Sequence, residues 1–271
     1  MPNGNPLVNP LGTFSADIRR DVRGVFLDID DTLTTDGRLT AQAYGALEDL
    51  AAAGILTVPI TGRPAGWCDH IARMWPVDGV VGENGAFYFV YDRARRKMQR
   101  RFLASDEERR DARARLDDLR KVILTQVPGS AVSSDQHYRE TDLAIDFCED
   151  VNRLPESAIE RIVTLFEGVG ASAKVSSIHV NGWFGSYDKL GMTKILMREC
   201  FRVDLDAEKE QFVFIGDSPN DAPMFGYFPH SVGVANIKDF DGRSIAEPAY
   251  VCNERCGDGF VELANALLAV R

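Results

Sequence analysis

The sequence predicts an α/β protein: a doubly wound parallel sheet with a second, α+β unit inserted into it. Apolar, strand-like runs alternate with helix-like periodic segments, which is typical of parallel sheets. This alternation changes in character near residue 87 and returns near residue 186. We therefore predict a flexible leader over 1–20, a core formed by 21–86 and 186–271, and an inserted domain over 87–185.

The first part of the core contains three predicted strands, at 22–29, 55–60 and 77–81. Between the first two, TAQAYGALEDLAAA has helical periodicity, with Thr40 as its N-cap and Gly54 after its last turn. Pro59 conflicts with the second strand, because proline lacks the N–H that a central strand donates. We keep the strand and expect its last residues not to pair normally.

The inserted segment has elements of its own. FYFVY predicts a strand, and ARRKMQRR a charged connection after it. A long charged helix over 106–126 is followed by a strand over 143–148, a helix over 155–167 and a strand over 175–180. The core pattern then resumes with a helix over 191–201, strands over 211–215 and 231–235, and an amphipathic helix over 259–270.

Composition narrows the classes of function. The formal net charge of −10 argues against a nucleic-acid or anionic-membrane binder, although a local pocket can still be positive. No stretch is long and apolar enough to span a membrane, and the N-terminus lacks the pattern of a secretory signal. Five scattered cysteines in a long chain indicate a reducing, cytoplasmic location. We therefore expect a small-molecule partner; the sequence does not indicate an oligomeric state.

Two predicted core strands end in acidic clusters, DIDD at 28–31 and GDSPND at 216–221. The carboxyl ends of parallel strands share one edge of the sheet, so both clusters would meet there. Asp28 and Asp30 are two residues apart in an extended segment and can face one site, as nucleophile and proton donor. Several carboxylates suit a hard cation such as Mg²⁺, although a solvated acidic turn has the same pattern.

Two further segments contain groups that can bind an oxyanion. Thr61-Gly62-Arg63 follows the second strand and offers a hydroxyl, an amide and a guanidinium, although a simple helix cap has the same sequence. SYDKLGMTK contains Lys189 and Lys194, either of which could bind phosphate; a lone lysine there is also typical of a solvated surface.

In this order, DIDDT (28–32), TGR (61–63), DK (188–189) and GDSPND (216–221) resemble the four motifs of the haloacid dehalogenase superfamily of phosphohydrolases. GENGA at 82–86 and the insert after it resemble the Cof-like branch, sugar-phosphate phosphatases with a large α/β cap. The resemblance implies a Rossmann-like catalytic core, a cap that selects the substrate, and Mg²⁺ as cofactor. Asp31 is a mild departure, because glycine often occupies this position in the branch.

The resemblance also implies a role for each motif residue. Asp28 would be the nucleophile that forms an aspartyl-phosphate, and Asp30 the acid and base. The implied metal ligands are Asp28, Asp30 through its backbone carbonyl, Asp217 and Asp221. The implied phosphate-binding residues are Thr61, Gly62, Lys189 and Asn220. Contacts with the rest of the substrate could come from Arg63, Glu83, Asn84, His179 and Asn181, each of which could equally be structural.

We therefore predict a magnesium-dependent phosphatase that acts on a small phosphorylated metabolite, with a sugar phosphate as the favoured class. One alternative is a phosphomutase of the same fold, since the lysine segment of phosphomannomutases resembles SYDKLGMTK. Two non-catalytic functions stay open as well: a phospho-acceptor like a response-regulator receiver domain, or a sugar-phosphate sensor.

Overall fold

The computed structural model describes residues 8–176, 178–240 and 246–271 and divides the chain into two compact units. The first unit comprises Met1–Thr61, Ala72–Val80 and Thr193–Arg271, and the second comprises Gly62–Ile71 and Val81–Met192. The domain boundaries drawn from the sequence, at 86/87 and 185/186, stay a prediction.

The described residues form short strands and helices in alternation along much of the chain. The strands are β1 (Asn9–Pro10), β2 (Gly24–Leu27), β3 (Leu56–Pro59), β4 (Val80–Gly82), β5 (Phe87–Asp92), β6 (Lys97–Phe102), β7 (Ala131–Val132), β8 (Asp142–Asp146), β9 (Ser172–Val175), β10 (His179–Trp183), β11 (Phe212–Gly216), β12 (Val232–Gly233) and β13 (Tyr250–Val251). The α-helices are α1 (Ala16–Asp21), α2 (Ala41–Ala52), α3 (Ala65–Met74), α4 (Asp106–Gln126), α5 (Glu156–Glu167), α6 (Lys189–Leu196), α7 (Leu205–Glu208), α8 (Ala222–Tyr227) and α9 (Cys256–Leu268).

A six-stranded parallel sheet, in the order β1-β13-β12-β11-β2-β3, runs through the first unit. On β2, Val25 and Leu27 belong to a buried cluster that includes α2 and α9. Phe26 lies between them in sequence and packs its ring against Phe212 and Phe228 instead. Successive side chains of a strand point to opposite faces, so apolar groups cover both sides of β2. The predicted α/β fold with a parallel sheet is confirmed.

Pro59 is tolerated because β3 is the edge strand of this sheet. The amides of Leu56 and Ile60 donate to the carbonyls of Arg23 and Leu27 on β2, at 2.9 and 2.7 Å. Residues alternate in direction along a parallel strand, so the nitrogen of Pro59 points away from β2. The missing N–H therefore costs no hydrogen bond in the ladder, and Pro59 pairs in register with Leu27.

The described part of the predicted leader, residues 8–20, belongs to the fold, so the prediction of a flexible segment is wrong there. Residues 1–7 lie outside the described residues. The strand β1 pairs with β13, and α1 follows with the side chain of Ser15 as its N-cap. Leu11 and Phe14 are almost fully buried in the core cluster, and the Phe14 ring stacks on Tyr250 at 4.6 Å.

The second unit contains a four-stranded antiparallel sheet, in the order β7-β8-β10-β9, packed against α4 and α5. The helix α4 has the predicted bounds, because Ser105 and Glu108 form a reciprocal capping box at its start. The strand predicted over 175–180 is wrong. Antiparallel strands β9 and β10 occupy this region instead. The charged connection is wrong too, since β6 pairs with β5 as a hairpin.

Removing the Phe14 ring should destabilise the protein. We expect Phe14→Ala to lower the free energy of unfolding by about 3–5 kcal/mol, the usual cost of a buried phenylalanine ring. Arg20→Ala is the matched control, because Arg20 pairs with exposed Asp17 within α1, and such a pair contributes about 1 kcal/mol or less. Urea unfolding measures both. Equal midpoints for Phe14→Ala and wild type would show that this segment adds nothing to the fold.

Candidate active site

Three buried carboxylates meet at the carboxyl end of the parallel sheet. Asp28 directly follows β2, and Asp217 directly follows the adjacent strand β11. Asp221 ends the 3₁₀ turn Pro219–Asp221 that comes next. One carboxylate oxygen from each of the three lies within 4.8 Å of the others. The two acidic clusters of the sequence are therefore brought together as predicted.

Three hydrogen bonds connect the residues around this group. The amide of Asp28 donates to the carbonyl of Ile215 at 3.0 Å, which ties the end of β2 to β11. The hydroxyl of Thr32 donates to Asp217 Oδ1 at 3.4 Å, and the amide of Asp217 donates to Asp221 Oδ2 at 3.4 Å. A Cβ at Gly216 would collide with that same Asp221 oxygen. The carboxylate of Asp221 thus occupies space that only glycine leaves open.

The turn after β2 explains the departure at Asp31. The backbone of Asp31 is left-handed, with φ of 58°, a conformation that glycine adopts freely and that aspartate tolerates better than most residues. Its carbonyl accepts from Asn236 Nδ2 at 3.0 Å, which holds the turn in place. Asp30 lies just before it and is partly exposed. The carboxylate of Asp30 is not one of the three clustered carboxylates; the ligand predicted for this residue was its backbone carbonyl.

Thr61 and Asn220 lie at the same end of the sheet as these carboxylates. Thr61 is fully buried and follows β3, which is the neighbour of β2. Asn220 is half-buried in the turn that carries Asp221, and its Oδ1 accepts from the Ser218 hydroxyl at 3.3 Å. Both residues belong to the first unit, together with the carboxylates.

Gly62 and Lys189 belong to the second unit. Lys189 begins α6 and is 8% exposed. The competing Lys194 donates to Asp206 at 2.7 Å and lies 4.4 Å from the ring centroid of Tyr227. The ammonium of Lys194 is therefore already paired on the surface of the first unit.

The GENGA segment packs against two of the motif segments within the second unit. A Cβ at Gly62 would lie 3.2 Å from Oδ1 of Asn84. A Cβ at Gly85, whose φ is +106°, would overlap the carbonyl of Asp188, next to the amide of Lys189. Neither glycine can be replaced without moving backbone or a packed side chain.

Glu83 is fully buried, and both of its carboxylate oxygens accept hydrogen bonds. Oε1 accepts from the amides of Ala65 and Glu140, each at 2.9 Å. Oε2 accepts from the amide of Thr141 at 2.7 Å and from the Thr141 hydroxyl. Burial raises the pKa of Glu83, and the negative charge of Asp142 raises it further.

Arg139 is the centre of an ionic network that the sequence did not reveal. Its guanidinium binds both oxygens of Asp135 and both oxygens of Asp142, at 2.9 to 3.2 Å, and donates to the carbonyl of Gly62 at 3.1 Å. Burial disfavours the charged guanidinium, but Asp142 and Asp135 more than offset this and raise the pKa of Arg139. Asn181 Nδ2 donates to the same Asp142 at 3.0 Å, so Asn181 extends this network.

Arg63 and His179 both lie close to the carboxylate of Glu149. Arg63 lies 3.9 Å from a carboxylate oxygen of Asp135 and 3.8 Å from one of Glu149. The guanidinium carbon also lies 4.5 Å from the ring centroid of Trp67. His179 Nε2 lies 2.8 Å from Glu149 Oε2 without the geometry of a hydrogen bond, and burial, with Arg139 next, lowers the pKa of His179 to about 4.

Comparison with known proteins shows which family the chain is similar to. Residues 25–140 match the family model of haloacid dehalogenase-like hydrolases. Over these residues the chain is similar to that family. A curated relative, the phosphoglycolate phosphatase of Methanosarcina mazei, is 29% identical over 253 residues, which cover 90% of this chain and 96% of the relative. The predicted resemblance to this family and the predicted enzyme class, a phosphoric monoester hydrolase, are thereby confirmed.

Solved structures agree on the fold. A protein of Thermoplasma acidophilum matches with a TM-score of 0.69 at 17% identity, covering 92% of this chain and 99% of that protein. The sucrose-phosphatase of Synechocystis matches with a TM-score of 0.61 at 16% identity, covering 92% and 98%. At these identities the likeness concerns the fold alone. Among the described residues, no helix is both long and apolar enough to cross a membrane.

Filling the space at Gly216 should displace Asp221 and weaken cation binding. We expect Gly216→Ala to reduce the affinity for Mg²⁺ by at least about tenfold, a change of about 1.4 kcal/mol, because one of three charged groups moves. Isothermal titration calorimetry measures the Mg²⁺ affinity of both proteins. Gly12→Ala, with open space around its Cβ, is the control. Unchanged affinity in Gly216→Ala would show that the position of Asp221 is irrelevant to the ion.

Proposed function

We propose that this protein is a magnesium-dependent phosphatase that hydrolyses a small phosphorylated metabolite. The observation that supports this most is the buried group formed by Asp28, Asp217 and Asp221. Three carboxylates this close repel one another, and burial removes the water that would screen them. A hard divalent cation offsets this repulsion, and carboxylate oxygens are the ligands that Mg²⁺ takes.

The proposed reaction is a double displacement through Asp28. A carboxylate oxygen of Asp28 attacks the phosphorus, the bond from phosphorus to the leaving oxygen breaks, and Asp30 donates its proton to that oxygen. In the second step Asp30 takes a proton from water, whose oxygen attacks the phosphorus of the aspartyl-phosphate. The bond from Asp28 to phosphorus then breaks, which releases phosphate and restores both carboxyl groups.

The remaining motif residues bind and orient the reacting group. Mg²⁺ would be held by Asp28, Asp217 and the backbone carbonyl of Asp30, with Asp221 in support, and would supply positive charge against the phosphoryl oxygens. The phosphoryl oxygens would be bound by Thr61, the amide of Gly62, Lys189 and Asn220. Phosphoryl transfer depends mainly on such positioning and charge neutralisation, so this set of residues is sufficient for the chemistry.

The name of the curated relative and the surroundings of Arg63 favour different phosphorylated substrates. The curated relative is named for phosphoglycolate, which carries a carboxylate besides its phosphate. Arg63, the cation next to the proposed phosphate site, already faces Asp135 and Glu149, so a second anion there would meet negative charge. The surroundings of Arg63 therefore favour a substrate with hydroxyl groups, such as the predicted sugar phosphate. Both compounds belong at the head of a test panel.

Replacing the proposed nucleophile should abolish turnover. We expect Asp28→Asn to lower phosphate release by at least about 10³-fold on every substrate, because the amide cannot form the acyl-phosphate. Turnover is measured as free phosphate released from a panel of sugar phosphates, phosphoglycolate and nucleotides. Asp36→Asn is the control, since Asp36 is exposed and asparagine tolerates its left-handed backbone. Wild-type isomerisation of sugar phosphates without release would instead indicate the mutase.

Removing divalent ions should stop the reaction and destabilise the protein. We expect EDTA to abolish phosphate release and added Mg²⁺ to restore it. Mg²⁺ should also raise the thermal unfolding midpoint of the wild type, because an ion at 100 times its dissociation constant stabilises by about 2.7 kcal/mol. Asp217→Asn should reduce that rise. Full activity in EDTA would rule out metal dependence.

A further inference from the structure

We propose that Glu83 is a positioning residue that holds the loop from Gly62 to Ala65 in place for the phosphoryl group. This rests on the proposed function, in which the Gly62 amide binds phosphoryl oxygens. Glu83 itself would touch neither substrate nor metal ion. The geometry within the second unit supports this inference in three steps.

The first step is that the carboxylate of Glu83 joins two separate backbone segments. On one side it accepts from the amide of Ala65, at the start of α3, which directly follows the loop. On the other side it accepts from the amides of Glu140 and Thr141. Amides at the start of a helix have no partner within the helix, so an acidic side chain there both satisfies and orients them.

The second step is that the loop is held at three of its residues. The carbonyl of Gly62 accepts from Arg139 at 3.1 Å, and the carbonyl of Arg63 accepts from the amide of Glu83 at 3.2 Å. The amide of Ala65 donates to the Glu83 carboxylate. Since Arg139 is itself fixed by two carboxylates, few backbone rotations are left for the residues between these anchors.

The third step is that Glu83 is unsuited to contact a substrate. It has no exposed surface, and each of its carboxylate oxygens accepts two hydrogen bonds. Its backbone is left-handed, with φ of 43°, which is uncommon for a residue with a long side chain. Such a conformation persists when surrounding contacts impose it, and these hydrogen bonds supply them.

Glu83→Gln tests whether the Glu83 carboxylate positions the loop, with little change in side-chain size. The amide group has only one acceptor oxygen, and its NH₂ must face backbone N–H donors whichever way the side chain is turned. At least one hydrogen bond is therefore lost: those of the Ala65 and Glu140 amides if the NH₂ faces them, or that of the Thr141 amide if it faces Thr141, whose hydroxyl can turn to accept from it. We expect kcat to fall by about 100-fold, as a misplacement of about 1 Å can cause, with KM changed by less than about threefold. Mg²⁺ affinity should not change, because the carboxylate cluster belongs to the first unit.

Glu140→Gln is the matched control. Glu140 is the neighbouring acid, its side chain is 47% exposed, and it pairs with Arg109 and Arg113. We expect wild-type kcat and KM. A merely structural Glu83 would lower the unfolding midpoint in Glu83→Gln and leave the kcat of the folded enzyme unchanged, which would overturn the inference.

Amide hydrogen exchange separates this inference from the proposed function. If the wild type releases no phosphate, the proposed function fails, but exchange at Ala65 can still be compared between wild type and Glu83→Gln. Exchange at least about tenfold faster in the variant supports the anchoring, and equal exchange overturns it. If Glu83→Gln does not fold, Arg139→Lys replaces it. The three N–H donors of an ammonium cannot replace the five hydrogen bonds of the Arg139 guanidinium, so wild-type kcat in that variant would overturn the inference.

Discussion

The mutual repulsion of Asp28, Asp217 and Asp221 is the constraint around which the first unit is organised. Parallel strands β2 and β11 are adjacent, and both end in aspartate, so the sheet itself forces the carboxylates together. Buried carboxylates this close together destabilise a fold. Natural proteins therefore keep them where a cation or a reacting group uses them. The small residue at Gly216 and the left-handed turn at Asp31 are local consequences of placing these groups so closely.

In the second unit, buried charged side chains are paired with other groups of the same chain. Arg139 is bound by Asp135 and Asp142, and Glu83 accepts hydrogen bonds from backbone amides. Removing one partner from such a network leaves another charge buried and uncompensated, which costs far more than a surface pair contributes. We therefore expect substrate specificity in this unit to come from side chains that the network holds in place, and not from the buried, paired side chains of the network.

Much of the fold and of the candidate site could be predicted, because strand ends and helix caps have characteristic local sequences. The acidic clusters follow apolar runs, and Ser105 with Glu108 marks the start of α4. The failures also have physical causes. The two-residue strand β1 lies among Pro, Asn and Gly, and the side chains of β6 are all exposed or half-exposed, with three charged residues among six. Neither strand therefore shows strand periodicity. In β8, Asp142 and Asp146 lie at the two ends of an apolar run, where acidic residues are usually solvated. Only their pairing with Arg139 and with backbone amides in the folded chain shows that both are buried.

The most direct test is a crystal of the wild-type protein soaked in Mn²⁺, which replaces Mg²⁺ in oxygen-ligand sites and gives an anomalous signal. We expect one strong anomalous peak within ligand distance of carboxylate oxygens of Asp28 and Asp217, with Asp221 beside it. A saturating soak that leaves this group without a peak, or places the ion elsewhere, would contradict the role given to the three carboxylates.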